Sequence, residues 1–151
     1  MGKIVPDTEV FELAISREVE AYHFYMALAE RVDSPRMRKV FENLAQEELE
    51  HKAKLELEVL KLGQTIPLNQ QMPGPSKNYI ISDTDVPLDM DYTDMLLLGI
   101  EKEKASFRTY VNLLATVQDQ QSREVLLAIA EEEVKHKLRF ELEYDALSKK
   151  R

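Results

Sequence analysis

The sequence predicts an all-α protein, a bundle of four helices made of two antiparallel helix hairpins joined by a long crossover. Four long segments carry apolar residues at helical spacing and contain no internal proline. Residues 64–90, between the second and third segments, hold four of the six prolines and have no helical period. A shift of the chain by 85 residues also aligns the first pair of segments with the second pair without gaps. The chain therefore contains one hairpin pattern twice.

The first predicted hairpin covers residues 7–63. Its first helix runs from about residue 7 or 8 to residue 32. The second helix has Ser34 as N-cap and Pro35 at the first helical position, where proline is well tolerated. This helix stops at Gly63, a residue type that commonly follows a helix C-terminus. The short turn between the helices makes them antiparallel neighbours.

The second predicted hairpin covers residues 91–148. This hairpin contains the third and fourth helices of the chain. The third helix starts near Asp91 or Thr93 and runs to about Val117, and the fourth helix ends near Leu147. Helices of this length measure roughly 38 Å, a distance that an extended crossover of residues 64–90 can span. The whole chain, residues 1–151, is therefore predicted to be a single domain.

Composition limits the classes of function. The net charge of −8 argues against nucleic acid as a partner, because phosphate binding needs basic clusters. The chain contains no cysteine, which excludes disulfides, thiolate catalysis and cysteine-ligated metals within it. No apolar stretch has the length of a membrane span or of a secretory signal. We expect a cytoplasmic protein that does not contact membranes.

Each of the four helices places one glutamate in its apolar stripe, near the middle of the helix. The second and fourth helices carry Glu-x-x-His at matching repeat positions, in "AQEELEHK" and "AEEEVKHK". Residues three apart lie on one helix face, so both side chains of this motif can reach one ion. The core positions are Glu18, Glu48, His51, Glu103, Glu133 and His136.

Four carboxylates in one core require neutralisation, because buried unpaired charges are costly and like charges raise each other's pKa. No lysine or arginine lies on the four stripes, whereas two divalent cations would balance the charge. Oxygen ligands with one imidazole per ion suit iron, manganese or zinc better than calcium. The sequence therefore predicts a site for two metal ions.

Other assignments remain open at this level. A register shifted by one residue would place Glu47 and Glu132 in the core instead of Glu48 and Glu133. Tyr25 and Tyr110 lie seven residues after Glu18 and Glu103, on the same faces. They are either aromatic core residues or hydroxyl groups that hydrogen-bond a ligand carboxylate.

Five further residues have simpler expected roles. Glu20 and Glu101 are expected to be solvated, His23 to face solvent or a partner, and Tyr22 and Phe107 to pack.

With these motifs in view, the chain resembles the ferritin-like di-iron and di-manganese carboxylate bundles. The segments "REVEAYHFYMALAE", "LAQEELEHKAKLE", "IEKEKASFRTY" and "IAEEEVKHKLRFE" resemble the rubrerythrin family in particular. The resemblance implies that the six core residues ligate two iron ions, with manganese or zinc as alternatives. It also implies that Glu48 and Glu133 bridge the ions.

Two departures from rubrerythrins proper bear on function. Those proteins carry a cysteine-ligated iron module that supplies electrons, and this sequence has no cysteine. The resemblance therefore implies an external electron donor, such as a rubredoxin-like carrier. They also place an additional glutamate three residues after the third-helix ligand, where this chain has Ser106. The ligand set thus resembles the sites of bacterioferritin and of stand-alone erythrin-like proteins.

Three functions follow as hypotheses. The first is an oxidoreductase that acts in oxidative stress. It would reduce hydrogen peroxide or dioxygen at a di-iron site, with electrons from an external donor. The second is a ferroxidase that oxidises and passes on or stores iron. The third is a metal-stabilised bundle that acts as a non-catalytic binding module. In each case the long crossover favours a small assembly, and we expect a homodimer.

Overall fold

The computed structural model describes residues 7–63 and 90–149, and these residues form an all-α four-helix bundle, as predicted. The four helices have nearly the predicted bounds: α1 is Asp7–Arg31, α2 is Pro35–Lys61, α3 is Tyr92–Leu114 and α4 is Gln120–Ser148. The predicted crossover, except for residue 90, lies outside the described residues.

Local chemistry explains where the helices begin and end. Ser34 is the N-cap of α2, with Pro35 beside it, although the serine side chain makes no capping hydrogen bond. Asp91 caps α3 by accepting a hydrogen bond from the backbone N–H of Asp94 at 2.9 Å. Gly63 has a φ of 81°, a left-handed conformation that glycine adopts without strain and that ends α2.

Helix α3 ends at Leu114, three residues before the predicted end at Val117. The guanidinium of Arg123 donates hydrogen bonds to the carbonyl oxygens of Leu114 and Val117, at 2.5 and 3.2 Å. The carboxylate of Asp7 accepts hydrogen bonds from the backbone N–H groups of Gln118 and Asp119. Polar side chains distant in sequence therefore satisfy backbone groups that a longer helix would have paired, and helical periodicity does not report such contacts.

Side-chain contacts establish the directions of the helices. Tyr25 of α1 contacts Glu103 of α3, and the later Tyr110 contacts the earlier Glu18, so α1 and α3 are antiparallel. Arg36 contacts Glu143 and Glu47 contacts Arg139, so α2 and α4 are antiparallel as well. Helices α2 and α3 consequently run in the same direction, and Gly63 and Met90 lie at opposite ends of the bundle.

The apolar core has two parts, separated by the polar middle of the bundle. One part contains Leu28, Phe41, Leu96 and Phe140, and the other contains Phe11, Ile15, Leu55, Tyr110 and Leu126, all fully buried or nearly so. Burial of large apolar side chains at both ends provides most of the driving force for folding. It also keeps the four helices in register around the middle.

Two predicted environments were wrong. Phe107 was expected to pack in the core, but it is 39% exposed. The reason is a cavity between α3 and α4 at this level, which has Phe107 in its wall. His23 was expected to face solvent or a partner, but it is only 9% exposed. Its ring packs edge-on against that of Tyr22, with 5.2 Å between the ring centroids.

Candidate metal centre

The middle of the bundle contains a cluster of buried carboxylates and imidazoles to which every helix contributes. Each helix supplies its stripe glutamate, and α2 and α4 also supply the histidine one turn later. All six side chains predicted from the sequence are at most 3% exposed: Glu18, Glu48, His51, Glu103, Glu133 and His136. The structure therefore brings the whole predicted set together.

One half of the cluster surrounds His51. Its Nδ1 atom lies 3.1 Å from Glu133 Oε1, 3.6 Å from Glu18 Oε2 and 3.7 Å from Glu48 Oε2. One potential ligand atom from each of these four residues lies within 4.8 Å of all the others. Three carboxylates and one imidazole thus converge on a volume that could hold one cation.

The other half surrounds His136 in the same way. Its Nδ1 atom lies 3.2 Å from Glu48 Oε1 and 3.4 Å from Glu103 Oε1. With Glu133, these residues form a second group whose potential ligand atoms all lie within 4.8 Å of one another. The same ligand chemistry therefore occurs twice.

Glu48 and Glu133 belong to both groups, whereas Glu18 and Glu103 belong to one each. The two histidine rings stack with 5.7 Å between their centroids and an angle of 15°. This arrangement follows from the internal repeat, because residues related by the 85-residue shift face each other across a pseudo-two-fold axis. Two shared and two unshared carboxylates are the arrangement expected for a pair of neighbouring cations.

Burial and crowding change the acidity of the shared carboxyl groups. The pKa of Glu48 is raised well above its usual value by burial and then by Glu18. The pKa of Glu133 is raised in the same way by burial and then by Glu48. Without cations, burial and the neighbouring carboxylates therefore favour the protonated forms of these two carboxyl groups.

The histidines and Glu103 shift under opposing influences. Burial lowers the pKa of His51, but the close approach of Glu133 and of the other carboxylates outweighs burial and raises the pKa to about 12. Burial likewise opposes the rise in the pKa of His136, which Glu103 causes. The pKa of Glu103 itself is lowered: burial raises it, but the proximity of Glu133 and His136 prevails.

Several of these buried polar atoms have no hydrogen-bond partner among the described residues. They include Nδ1 of His51, Nδ1 of His136 and one oxygen of each of the four glutamates. Unsatisfied buried acceptors are costly, so a cluster of them facing one volume calls for bound cations. Mixed oxygen and imidazole ligands suit iron, manganese or zinc, so the residues of the cluster fit a pair of these ions.

Two tyrosines contact the unshared carboxylates. Tyr25 of α1 donates a hydrogen bond to Glu103 Oε1 of α3 at 2.5 Å, and Tyr110 of α3 donates one to Glu18 Oε1 of α1. Burial, with the neighbouring glutamates, raises the pKa of both phenols well above 10. Both tyrosines are therefore neutral donors at physiological pH. Of the two roles considered, core packing and carboxylate binding, the structure shows both at once.

The contact between Glu47 and His136 was not predicted from the sequence. The Oε2 atom of Glu47 lies 3.2 Å from Nε2 of His136, and the Oε1 atom accepts a hydrogen bond from Arg139 at 2.8 Å. The shifted register considered above is wrong, since Glu48 and Glu133 are buried and Glu47 is only partly buried. The available signal was the repetition of Glu47 as Glu132.

Glu132 does not reproduce the contact of Glu47. Its carboxylate lies 3.4 Å from Nζ of Lys135 on its own helix. It also forms a looser group with both histidines, with ligand atoms within 4.8 Å. The surroundings of the two halves are therefore unequal. Glu20 and Glu101 are exposed, as expected.

Fold and cluster together define a ferritin-like four-helix bundle with paired, buried carboxylate–histidine groups. The sequence model of the rubrerythrin family matches residues 9–144. The chain belongs to this family, which comprises di-iron proteins of the ferritin-like superfamily. A comparison with curated protein sequences gave no significant match. Among the described residues, none of the helices is long and apolar enough to cross a membrane.

Proposed function

We propose that this protein is a di-iron oxidoreductase that reduces hydrogen peroxide, or dioxygen, with electrons from an external carrier. The strongest support is the pair of buried groups that share Glu48 and Glu133. Two divalent cations would neutralise the four carboxylates and occupy the volume that the unsatisfied atoms face. Six residues would hold them: Glu18, Glu48, His51, Glu103, Glu133 and His136.

The protein's own residues set the conditions for this chemistry. Glu48 and Glu133 lie between the two halves and are suited to contact both ions. Tyr25 and Tyr110 hold Glu103 and Glu18 in position by hydrogen bonds, and they remain protonated because their pKa values are raised. The apolar residues above and below exclude bulk water, which strengthens every electrostatic interaction inside.

The proposed reaction balances with a one-electron carrier as partner. When bound, a ferrous pair supplies two electrons, one from each ion. Reduction of one hydrogen peroxide molecule consumes these electrons and two protons and gives two water molecules. An external carrier, of which a rubredoxin-like protein is one kind, returns the electrons one at a time.

The deciding experiment is anaerobic loading with ferrous iron, followed by peroxide or, separately, by air. We expect about two iron ions per chain and a faster near-ultraviolet absorbance change with peroxide. Glu133→Ala should lower turnover by more than about 100-fold with the helical circular dichroism retained. The matched control is Glu131→Ala, an exposed glutamate on the same helix. Absence of bound iron, or zinc that iron cannot displace, would contradict the proposal and leave a structural metal bundle.

A ferroxidase is the second candidate, and Ser106 is the observation that favours it. This partly buried residue lies one turn after Glu103, at the position where rubrerythrins proper carry a further glutamate. Without that carboxylate, the ligand set resembles the six-ligand sites of bacterioferritin and of stand-alone erythrin-like proteins. Faster oxidation by air than by peroxide in the same experiment would support this candidate.

A homodimer in the cytoplasm completes the proposal. Nine large apolar side chains are exposed among the described residues, and the most exposed is Leu142 at 69%. Exposed apolar surface of this kind supports association, because covering it is favourable. Native mass spectrometry should give twice the chain mass of 17.5 kDa. The chain mass itself, or the mass of a large shell, would contradict a dimer.

A further inference from the structure

A cavity of about 190 Å³ lies between α3 and α4 and reaches the candidate metal centre. Glu103 and Glu133 form part of its wall, so the cavity meets one shared and one unshared carboxylate. Its other wall residues are Lys104, Phe107, Arg108, Val134 and Lys137. A water molecule occupies about 30 Å³ in the liquid. The cavity can therefore hold several molecules of the size of peroxide.

The outer wall of this cavity is open to solvent. Phe107 is 39% exposed and Arg108 is also exposed. The side chain of Lys137 is 29% exposed, and its partner Glu141, at 3.6 Å, is 41% exposed. The outer wall residues are thus exposed, whereas Glu103 and Glu133, each at most 2% exposed, lie at the buried end of the cavity.

The corresponding side of the other hairpin is closed. The 85-residue shift places Tyr22, His23 and Lys52 where the open side has Phe107, Arg108 and Lys137. His23 is buried and Tyr22 is partly buried. The side chain of Lys52 is only 7% exposed and lies 2.8 Å from Glu56. The repeat thus gives the centre two equivalent sides, and among residues 7–63 and 90–149 the side chains on the α1–α2 side are more buried than those on the α3–α4 side.

The rim of the cavity contains three basic side chains in a chain with a net charge of −8. Lys104 and Lys137 face Glu101 and Glu141, at 3.3 and 3.6 Å. Arg108 adds a positive charge to the same rim. Because both lysines are paired with glutamates, the net charge of the rim is small and does not oppose the entry of a neutral molecule.

We propose that this cavity, rather than the equivalent α1–α2 side, is the entrance for the small oxidant, with Val134 and Phe107 in its wall. The inference rests on the proposed function, since it names the route by which a neutral molecule such as hydrogen peroxide reaches the centre. It predicts that the α1–α2 side does not admit the oxidant.

The test uses azide as a probe of entry and cobalt(II) as a reporter at the centre. Azide binding to the cobalt-loaded full chain changes the visible absorption and requires no turnover. We expect Val134→Trp to slow azide association at least tenfold, because an indole would fill the cavity. The matched control is Leu49→Trp, at the equivalent position of the closed side, and it should change the rate less than twofold.

A second pair of variants tests the opposite direction. Phe107→Ala should widen the entrance and speed azide association, whereas Tyr22→Ala on the closed side should not. This pair decides the matter if Val134→Trp fails to fold. Equal effects of the two members of each pair, or no effect of either, would overturn the assignment of the entrance to the α3–α4 side. A chain that binds no cobalt has no centre for the cavity to serve, and this result would overturn it as well.

Failure of the entrance and failure of the proposed function give different results. Iron-loaded variants treated with peroxide should follow the same order of rates as cobalt-loaded variants treated with azide. If azide entry depends on Val134 but the wild type does not reduce peroxide, the entrance stands and the oxidoreductase is wrong. If peroxide is reduced and Val134→Trp has no effect on either rate, the oxidoreductase stands and the entrance is wrong.

Discussion

Glu47 lies beside His136 on the side away from the cluster, and this position suggests a positioning role. Its carboxylate is 3.2 Å from Nε2 of the histidine and is held by Arg139. A carboxylate next to the outer nitrogen of a ligating histidine fixes the ring and strengthens it as a ligand. We expect Glu47→Gln to weaken metal binding by about 10- to 100-fold, as measured by competition with a chromophoric chelator.

Glu50→Gln is the matched control, because Glu50 is an exposed glutamate one turn away on the same helix. It should change metal affinity less than twofold. Equal affinities of the Glu47 and Glu50 variants would show that the contact with His136 does not position the ring.

The comparison of Glu48 with Glu47 shows what the sequence could predict at this scale. Helical spacing placed Glu48 and His51 on the apolar face of α2, and both are buried there. Glu47 was missed because its partners, His136 and Arg139, lie on α4, and periodicity within one helix carries no information about contacts between helices. The contact needs the crossing of α2 and α4, which only the folded chain provides.

The retained protons of the metal-free cluster predict a pH dependence of stability. Glu48 and Glu133 have raised pKa values when folded, so their protonated forms stabilise the protein fully only below about pH 4.5. This contribution is lost as pH rises, and His51 adds a similar loss between about 6.5 and 12. The urea midpoint of the metal-free protein should fall between pH 5 and 9, because the free energy of unfolding decreases by about 1.4 kcal/mol per pH unit for each proton that the folded state holds in excess.

Glu103 contributes to the pH dependence with the opposite sign, because its pKa is lowered in the folded state. Its ionised form stabilises the protein when pH is above the usual pKa of a glutamate, and this stabilisation is lost as pH falls through the lowered pKa. It therefore limits the gain in stability at acidic pH. The double variant Glu48→Gln/Glu133→Gln removes two titrating groups and should have a flatter profile. A wild-type midpoint that rises with pH would contradict the raised pKa values.

At the scale of single helices, Gly99 sets how closely α3 approaches α4. A Cβ atom at this position would lie 2.8 Å from Cε2 and 2.9 Å from Cζ of Phe140. The ring has little room to move, because it packs against Tyr25 and Phe41 and is 1% exposed. We expect Gly99→Ala to lower the free energy of unfolding by about 1–2 kcal/mol net, although alanine favours helix. Urea denaturation measures this change.

A double variant distinguishes this contact from other effects of alanine. Phe140→Leu removes the ring edge, so adding Gly99→Ala to it should cost less than adding it to the wild type. Additive effects of the two substitutions would show that the residues do not couple. The sequence did not predict this contact, because an isolated glycine within a helix reports only a weak break and does not name its partner.

At the scale of the whole molecule, the candidate metal centre joins the two hairpins. His51 of the first hairpin is closest to Glu133 of the second, and His136 of the second is closest to Glu48 of the first, among the cluster carboxylates. Ions bound there would link both halves and stabilise the folded state by mass action. We expect the free energy of unfolding to rise by at least about 3 kcal/mol when free metal exceeds its dissociation constant 100-fold, as measured by thermal unfolding.

Calcium provides the matched control, since it prefers oxygen ligands in larger numbers than this cluster supplies. It should change the midpoint far less than ferrous iron or zinc under the same conditions. Stabilisation by iron that persists in Glu133→Ala would show that the ions act elsewhere on the chain. The pairing of the hairpins was predictable from the repeat, but the unequal surroundings of the two halves were not, because they depend on which side chains are covered after folding.

The repeat also has a consequence for how such a protein can change over generations. A dimer of two identical hairpins, encoded by one short gene, could also supply carboxylates and histidines from both sides. Each mutation in that gene would then appear in both hairpins. Tandem duplication within one reading frame removes this constraint, since each copy is inherited and mutated separately. Lys52 and Lys137 now differ in burial, and Glu47 and Glu132 differ in their partners. A fused duplicate can thus retain a symmetric set of buried acids and imidazoles while its two outer faces take separate tasks.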